Sequence, residues 1–131
     1  MEQTDVGHTS FLVTNPLRPT GPAAQLFIAG AGLFEITAYE PPVQRVTIVG
    51  VNLPDPGIFG PYSDYLAIIL TPGNPSPIAE INLSPTLAGS VWAGSQLLNF
   101  GGTLPRLFAE VRPVLYGVRQ GTVILIGTVF Q

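Results

Sequence analysis

The sequence contains no cysteine, no lysine and a single histidine in 131 residues. Without cysteine, the chain can form neither a disulfide framework nor a thiolate zinc site. Without lysine, it has no Schiff-base nucleophile and no phosphate-binding Walker lysine. His8 is the one candidate for histidine-based catalysis, and it lies close to the start of the chain. These absences exclude several common kinds of active site.

Charge is also scarce, since charged residues make up 10% of the chain and the net charge is −3. Soluble domains usually have roughly 25% charged residues. The five arginines are dispersed and form no basic stripe that could bind phosphates. No apolar run approaches the roughly 20 residues of a transmembrane helix, and Glu2 and Asp5 stand where a signal peptide would be basic. We therefore expect no nucleic-acid partner, no membrane partner, no transmembrane segment and no signal peptide.

Hydrophobic residues make up 46% of the chain, which excludes the kind of disorder that arises from low hydrophobicity. A surface with so few charges lacks the interspersed charge that keeps a free monomer from associating. One interpretation is a compact, weakly charged monomer. We favour the other, in which neighbouring subunits cover much of the surface. Closed symmetry, as a trimer or a dimer, is then expected.

Seven or eight short segments have the length and the apolar alternation of β-strands. Turn-forming sequences such as 54–57 and 72–75 separate them. The continuous apolar run 65–71 is typical of a strand buried on both faces. This spacing predicts an all-β fold, an antiparallel β-sandwich of jelly-roll or immunoglobulin-like type. The predicted strands are 33–39, 43–51, 65–71, 78–83, 106–112, 114–118 and 121–130.

Alternation within these segments also predicts which side chains form the core, although a shift of one residue would exchange the two faces. Pro113 is expected to place its strand at an edge or to bend it. Two segments, 22–29 and 95–99, are compatible with a short helix. The predicted core consists of Phe34, Ile36, Val46, Ile48, Leu66, Ile68, Leu70, Ile81, Leu83, Leu107, Val111, Ile124 and Ile126.

Residues 1–24 differ from the rest of the chain, and we separate them as an N-terminal arm from a β-sandwich domain at 25–131. Prolines at 16, 19 and 22 favour an extended, polyproline-like path and exclude a helix there. The arm is either a loose tail or a segment that becomes ordered against a neighbouring subunit. In the second interpretation, Phe11, Leu12 and Val13 anchor it.

The polar residues form no recognisable catalytic or metal-binding pattern. No spacing singles out a pair of facing carboxylates, and no Gly-x-Ser-x-Gly elbow is present. Glu110 is expected to pair with Arg106 and Arg112 at the surface. The Gly30-Ala31-Gly32 segment lacks the third glycine of a dinucleotide site, so a close backbone approach or a bulge explains it better. We expect a non-enzymatic protein with no catalytic residue, no metal and no cofactor.

Three aromatic residues suggest a different function. Tyr62, Tyr65 and Trp92 could stack on sugar rings if they were exposed on one face, as in carbohydrate-binding β-sandwiches. The other interpretation places Tyr65 and Trp92 in the core, where large aromatic side chains are usually found. A carbohydrate-binding module is therefore the alternative function.

The proline-rich arm, the β domain and the charge-poor surface together resemble the small β-sandwich decoration, or cement, proteins of phage capsids. The resemblance is one of overall character along the whole chain and rests on no family-specific motif, so it assigns no residues. It implies a structural protein on the capsid surface of a virion. Its partners would be the major capsid protein or other shell subunits and further copies of itself. A tail, baseplate or filament subunit is a related interpretation.

Overall fold

The computed structural model describes residues 11–36, 43–87, 89–100 and 104–130. Within these ranges the chain forms nine strands, all paired antiparallel, and two 3-10 helices at Gly21–Ala23 and Pro56–Phe59. The predicted all-β antiparallel class is confirmed. The strands are β1 (Phe11–Pro19), β2 (Ala29–Ile36), β3 (Gln44–Val51), β4 (Asp64–Thr71), β5 (Asn74–Pro85), β6 (Trp92–Leu98), β7 (Leu107–Leu115), β8 (Arg119–Gln120) and β9 (Leu125–Phe130).

Eight of these strands close into a barrel in the order β4-β5-β6-β3-β2-β1-β9-β7, and β7 pairs back with β4. The short strand β8 forms a hairpin with β7 outside this circuit. The predicted sandwich of two separate sheets is therefore corrected to a closed barrel. The reason is that β1 and β5 each change partners along their length and so join the two halves.

The two junctions, which we call the β1–β9 seam and the β5–β6 seam, each contain only two residue pairs. Glycine allows the backbones to approach at both. A Cβ atom on Gly127 would lie 2.6 Å from the carbonyl oxygen of Pro16, and one on Gly94 would lie 2.5 Å from that of Asn82. The close approach predicted for Gly30 is confirmed, since its Cβ would lie 2.8 Å from the Val49 carbonyl oxygen. Small residues at these points let a small barrel close.

The described part of the predicted arm belongs to the barrel, which corrects the division at residue 24. Phe11–Leu17 pairs with β2 along its whole length, and Leu17 is only 2% exposed. The backbone is extended, as the prolines predict, but it pairs with neighbouring strands of the same chain. Residues 1–10 lie outside the described part of the chain.

The barrel interior holds most of the predicted core, with register differences in β4 and β9. Tyr65, Ala67 and Ile69 point inward, whereas the predicted Leu66 and Ile68 are buried on the outer face against Val114. The prediction that 65–71 is buried on both faces is confirmed for 65–69, while Leu70 and Thr71 are partly exposed. A shift of one residue changes the face, as expected for period-two structure. In β9, Leu125 and Val129 replace Ile126, and in β2 Ile36 is only partly buried.

Two local predictions are also corrected. Residues 95–98 continue strand β6 instead of starting a helix, because pairing with β3 satisfies the hydrogen bonds of their backbone. In the segment 22–29, only the 3-10 turn that ends at Ala23 is helical. Pro113 does not mark an edge strand, since β7 lies between β4 and β9. It falls in the gap between the pairs with β9, which end at Val111, and those with β8, which begin at Val114.

Candidate functional site

Strands β1, β3, β5 and β7 all run towards one end of the barrel. Three of the connections that follow these strands line one pocket there. They are residues 20–28, 52–63 and 86–91. Apolar side chains in or beside them point into solvent: Phe27 is 94% exposed, Ile58 is 59% exposed, and Val51 and Leu87 are also exposed. We call these four residues the loop-end surface. Exposed apolar groups concentrated in this way are typical of protein contact sites.

An open pocket of about 340 Å³ lies beside Phe27 and Ile58 of the loop-end surface. Residues of all three connections line it, among them Leu26, Leu53, Ile58 and Ser90. The pocket therefore depends on the relative placement of three segments that are distant in sequence.

Hydrogen bonds hold these connections together. Asn52 adopts a left-handed backbone conformation with φ of 60°, and its side-chain Nδ2 donates to the carbonyl oxygen of Phe27 at 2.6 Å. Asparagine tolerates this conformation better than most residues. The backbone nitrogen of Leu53 donates to the Ser90 carbonyl oxygen at 2.9 Å. Phe27 is thus presented outward from a loop that is fixed to its neighbours.

The helical turn that carries Ile58 has its own support. The side chain of Asp55 accepts a hydrogen bond from the Gly57 nitrogen at 2.8 Å and caps the 3-10 helix Pro56–Phe59. Beneath it, the Tyr65 hydroxyl donates to the Pro54 carbonyl oxygen at 2.6 Å. The exposed side chain of Ile58 therefore stands on a turn that is anchored to the core.

Tyr65 and Trp92, predicted as possible sugar-stacking residues, lie in the core. Tyr65 is fully buried and meets Trp92 edge to face, with ring centroids 4.9 Å apart. Burial, and to a lesser degree the nearby Asp55 carboxylate, raise the pKa of Tyr65 far above the ordinary tyrosine range. Tyr62 is partly buried over Gly121. The three rings do not form a common exposed face.

Phe11, Leu12 and Val13, predicted as the anchor of an arm, begin strand β1 at the end of the barrel opposite the loop-end surface. Phe11 is 50% exposed and Leu12 is 57% exposed, whereas Val13 is partly buried. The structure therefore separates them from the aromatic residues that were predicted as interaction residues.

A second concave region lies on the outer face of β4, β5 and β7, where pockets of about 300 and 600 Å³ share Glu80 and Gln120. Arg112 crosses it: Nη2 donates to Glu110 Oε1 at 3.1 Å and Nη1 to the Gly121 carbonyl oxygen at 3.2 Å. The predicted pairing of Glu110 with Arg112 is confirmed. Because Glu80 also lines both pockets, acidic and basic side chains both lie in this region.

Within the part of the chain that the structure describes, no cluster of three or more His, Cys, Asp or Glu side chains could hold a metal ion. None of the helices in these same ranges has the length and apolar character needed to cross a membrane.

The fold and its surfaces define a small all-β barrel protein with a preorganised apolar surface at one end. The chain belongs to the family described as "YoqH: SPbeta prophage-derived uncharacterized protein YoqH", whose model matches residues 9–131. This match supports a phage origin. Neither a curated protein nor a solved structure matches the chain.

Sequence reasoning missed the loop-end surface, although a signal was present. Phe27 and Ile58 are large apolar residues within turn-rich connections, where polar residues are usual. Such residues either fold back onto the core or remain exposed, and only the placement of the loops decides between the two.

Proposed function

We propose that this protein is a non-enzymatic structural protein of a phage virion, a capsid decoration or cement protein that attaches to the shell through its loop-end surface. The observation that carries the proposal is the exposure of Phe27 and Ile58 on hydrogen-bonded loops. The partner is the major capsid protein or another shell subunit. A tail, baseplate or filament subunit would use the same surface in a different part of the particle.

The energetics of the loop-end surface suit this role. Burying a large apolar side chain contributes about 1.5–3 kcal/mol, and Phe27 and Ile58 are mostly exposed in the single chain. Because Asn52 and Asp55 already hold the two loops, binding would require little additional ordering. Because association itself costs about 4–15 kcal/mol in lost freedom of motion, Phe27 and Ile58 would act as anchors within a larger contact. The prophage origin of the family supports the virion as the setting.

The carbohydrate-binding alternative has less support. Stacking on a sugar ring requires an accessible aromatic face, and Tyr65 and Trp92 are both buried. Phe27 is the most exposed large aromatic residue among those described, and it has no polar ring group to orient a sugar. The geometry therefore favours an apolar protein partner.

The test is a sedimentation assay with phage particles assembled without this protein. Wild-type protein should be detected by mass spectrometry in purified virions and should cosediment with the deficient particles. The double variant Phe27→Ser and Ile58→Ser should bind at least about tenfold more weakly, corresponding to a loss of about 1.4 kcal/mol or more. Val118→Ser is the matched control, because Val118 is 64% exposed and lies at the same end of the barrel, on the β7–β8 turn, but does not line the pocket beside Phe27 and Ile58.

Circular dichroism would establish that each variant keeps the fold before its binding is compared. The proposal is refuted if the protein is missing from purified virions or if the double variant binds as well as Val118→Ser. Retention of the wild-type protein on polysaccharide, without binding to particles, would favour the carbohydrate-binding alternative.

A further inference from the structure

The end of the barrel opposite the loop-end surface has two strand edges that no described strand covers. Strand β6 pairs with β3 over Trp92–Leu98, but it pairs with β5 only at Trp92 and Ala93. Beyond Gly94, β5 turns away to pair with β4. Among the described strands, none pairs with this side of Ser95–Leu98, which we call the β6 edge.

Strand β1 has a corresponding edge. Phe11–Thr14 pairs with β2 on one side, while the ladder with β9 contains only Arg18 and Pro19. The side chain of Asn15 donates from Nδ2 to the Val129 carbonyl oxygen at 3.0 Å, where a backbone ladder would otherwise continue. No described strand pairs with the β9-facing side of Phe11–Thr14, which we call the β1 edge.

The two edges match in height, length and direction. The ladders of β1, β2, β3 and β6 place Phe11 in one row with Leu98, and Thr14 in one row with Ser95. Both edges therefore span the same four rows of one sheet. Three successive antiparallel pairings make β1 and β6 run in opposite directions. A second copy rotated about an axis along the strands would present its β6 edge antiparallel to the β1 edge of the first.

We infer that copies of this chain assemble head to tail, with the β1 edge of one copy pairing with the β6 edge of the next. The four-stranded sheet would then continue from copy to copy and close into a ring. At equal height, Leu12 lies opposite Leu97 of the next copy and Thr14 lies opposite Ser95. Heterologous contacts of this kind give closed rings when the rotation between copies closes.

The chemistry of the edges supports a second copy as the partner. Strand edges in monomers are usually protected by charged residues or proline, but neither occurs in 11–14 or 95–98. Leu12 and Leu97 are 57% and 59% exposed, and they would cover each other across the contact. Polar Ser95 meets polar Thr14 and Phe11 meets Leu98, whereas the row of Val13 brings an apolar side chain opposite the polar Gln96. The same chain carries both the β1 edge and the β6 edge, so a second copy can supply the complementary edge. The inference does not depend on attachment to a shell.

Disulfide cross-linking tests the contact directly, because the chain contains no cysteine. Residues opposite each other in an antiparallel ladder have Cα atoms about 4.5–5.5 Å apart, which suits a disulfide. Within one chain, Leu12 and Leu97 are separated by three strand spacings, about 14 Å, which is too far. The double variant Leu12→Cys and Leu97→Cys should therefore give, on oxidation, covalent species at multiples of 13.8 kDa.

The single variants Leu12→Cys and Leu97→Cys are the controls, and neither should cross-link. Covalent dimers of Leu12→Cys alone would instead indicate a two-fold contact between β1 strands and would overturn the head-to-tail arrangement. Absence of cross-linking in the double variant would overturn it as well.

Solution mass gives a second, independent measurement. By light scattering, the wild-type chain should have a discrete multiple of 13.8 kDa. The double variant Leu12→Lys and Leu97→Lys should be monomeric, because two like charges then face each other across the contact. A monomeric wild type, or a lysine variant of wild-type mass, overturns the inference. The lysine variant keeps the loop-end surface, so its binding to particles tests the proposed function separately.

Discussion

Replacing Gly94 by alanine should destabilise the protein by forcing apart the β5–β6 seam. The added Cβ would lie 2.5 Å from the carbonyl oxygen of Asn82 and 2.9 Å from the Ile81 side chain. The nearer atom belongs to the backbone, so it cannot move aside as a flexible side chain would. Strand β5 would have to shift, which would disturb the pairs of Ser84 with Ala93 and of Pro85 with Trp92.

The size of the effect follows from two opposing contributions. Overpacking of a well-packed site typically costs about 1–3 kcal/mol. Exchange of glycine for alanine also restricts the unfolded chain, which stabilises the folded state by about 0.4–1 kcal/mol. We therefore expect the free energy of unfolding to fall by about 1–2 kcal/mol. This is a substantial part of the roughly 5–15 kcal/mol that stabilises a typical domain.

The assay is urea denaturation followed by circular dichroism, with the free energy of unfolding extrapolated to water. Gly57→Ala is the matched control, because the nearest atom to its Cβ would be the end of the Asp55 side chain at 3.1 Å. The control should stay within about 0.5 kcal/mol of wild type. If Gly94→Ala is as stable as Gly57→Ala, the seam does not require glycine, and the account of barrel closure is refuted.

Three further predictions concern the core, strand β1 and the outer face. Tyr65→Phe should cost about 0.5–1.5 kcal/mol, because the hydrogen bond to the partly buried Pro54 carbonyl is lost. Since burial raises the pKa of Tyr65, the folded state binds its proton more tightly than the unfolded state, and stability should fall as the pH rises above about 10. Urea titrations from pH 8 upward should show this decline in wild type and a weaker one in Tyr65→Phe; equal slopes would contradict it. Deletion of residues 1–24 should abolish cooperative thermal unfolding, because it removes β1 and the buried Leu17. A sharp unfolding transition in the truncated chain would show that β1 is dispensable. Glu110→Gln should lower the free energy of unfolding by about 1 kcal/mol or less, because the ion pair with Arg112 is partly exposed. A loss of several kcal/mol in the same denaturation assay would show that this ion pair is structurally essential.

The local sequence pattern was sufficient to predict much of the secondary structure. Alternation and β-branched residues predicted most of the strands, and the continuous run 65–71 predicted a strand with two buried faces. The Gly30-Ala31-Gly32 segment correctly indicated a close backbone approach. These features depend on residues that are neighbours in sequence, and period-two alternation is a property of the single strand.

The candidate sites could be predicted only in part. The sequence drew attention to Phe11 and Leu12, whose exposure the structure shows, but it grouped them with an arm that is in fact strand β1. It also drew attention to Tyr65 and Trp92, which pack against each other inside the barrel. The sequence can single out an aromatic residue or a leucine as a candidate contact residue. It cannot show whether that residue faces the inside or the outside of a closed sheet.

The sequence by itself determined that this chain builds antiparallel strands with little helix and little surface charge. Only the tertiary structure decided that the strands close into a barrel, because closure depends on which distant segments meet. The Asn15 side chain bonds to Val129, 114 positions away, and Asn52 holds Phe27 across 25 positions. Such contacts leave no periodic trace in the sequence, since they depend on the twist and partner exchange of whole strands. The loop-end surface and the two uncovered edges are products of that same closure.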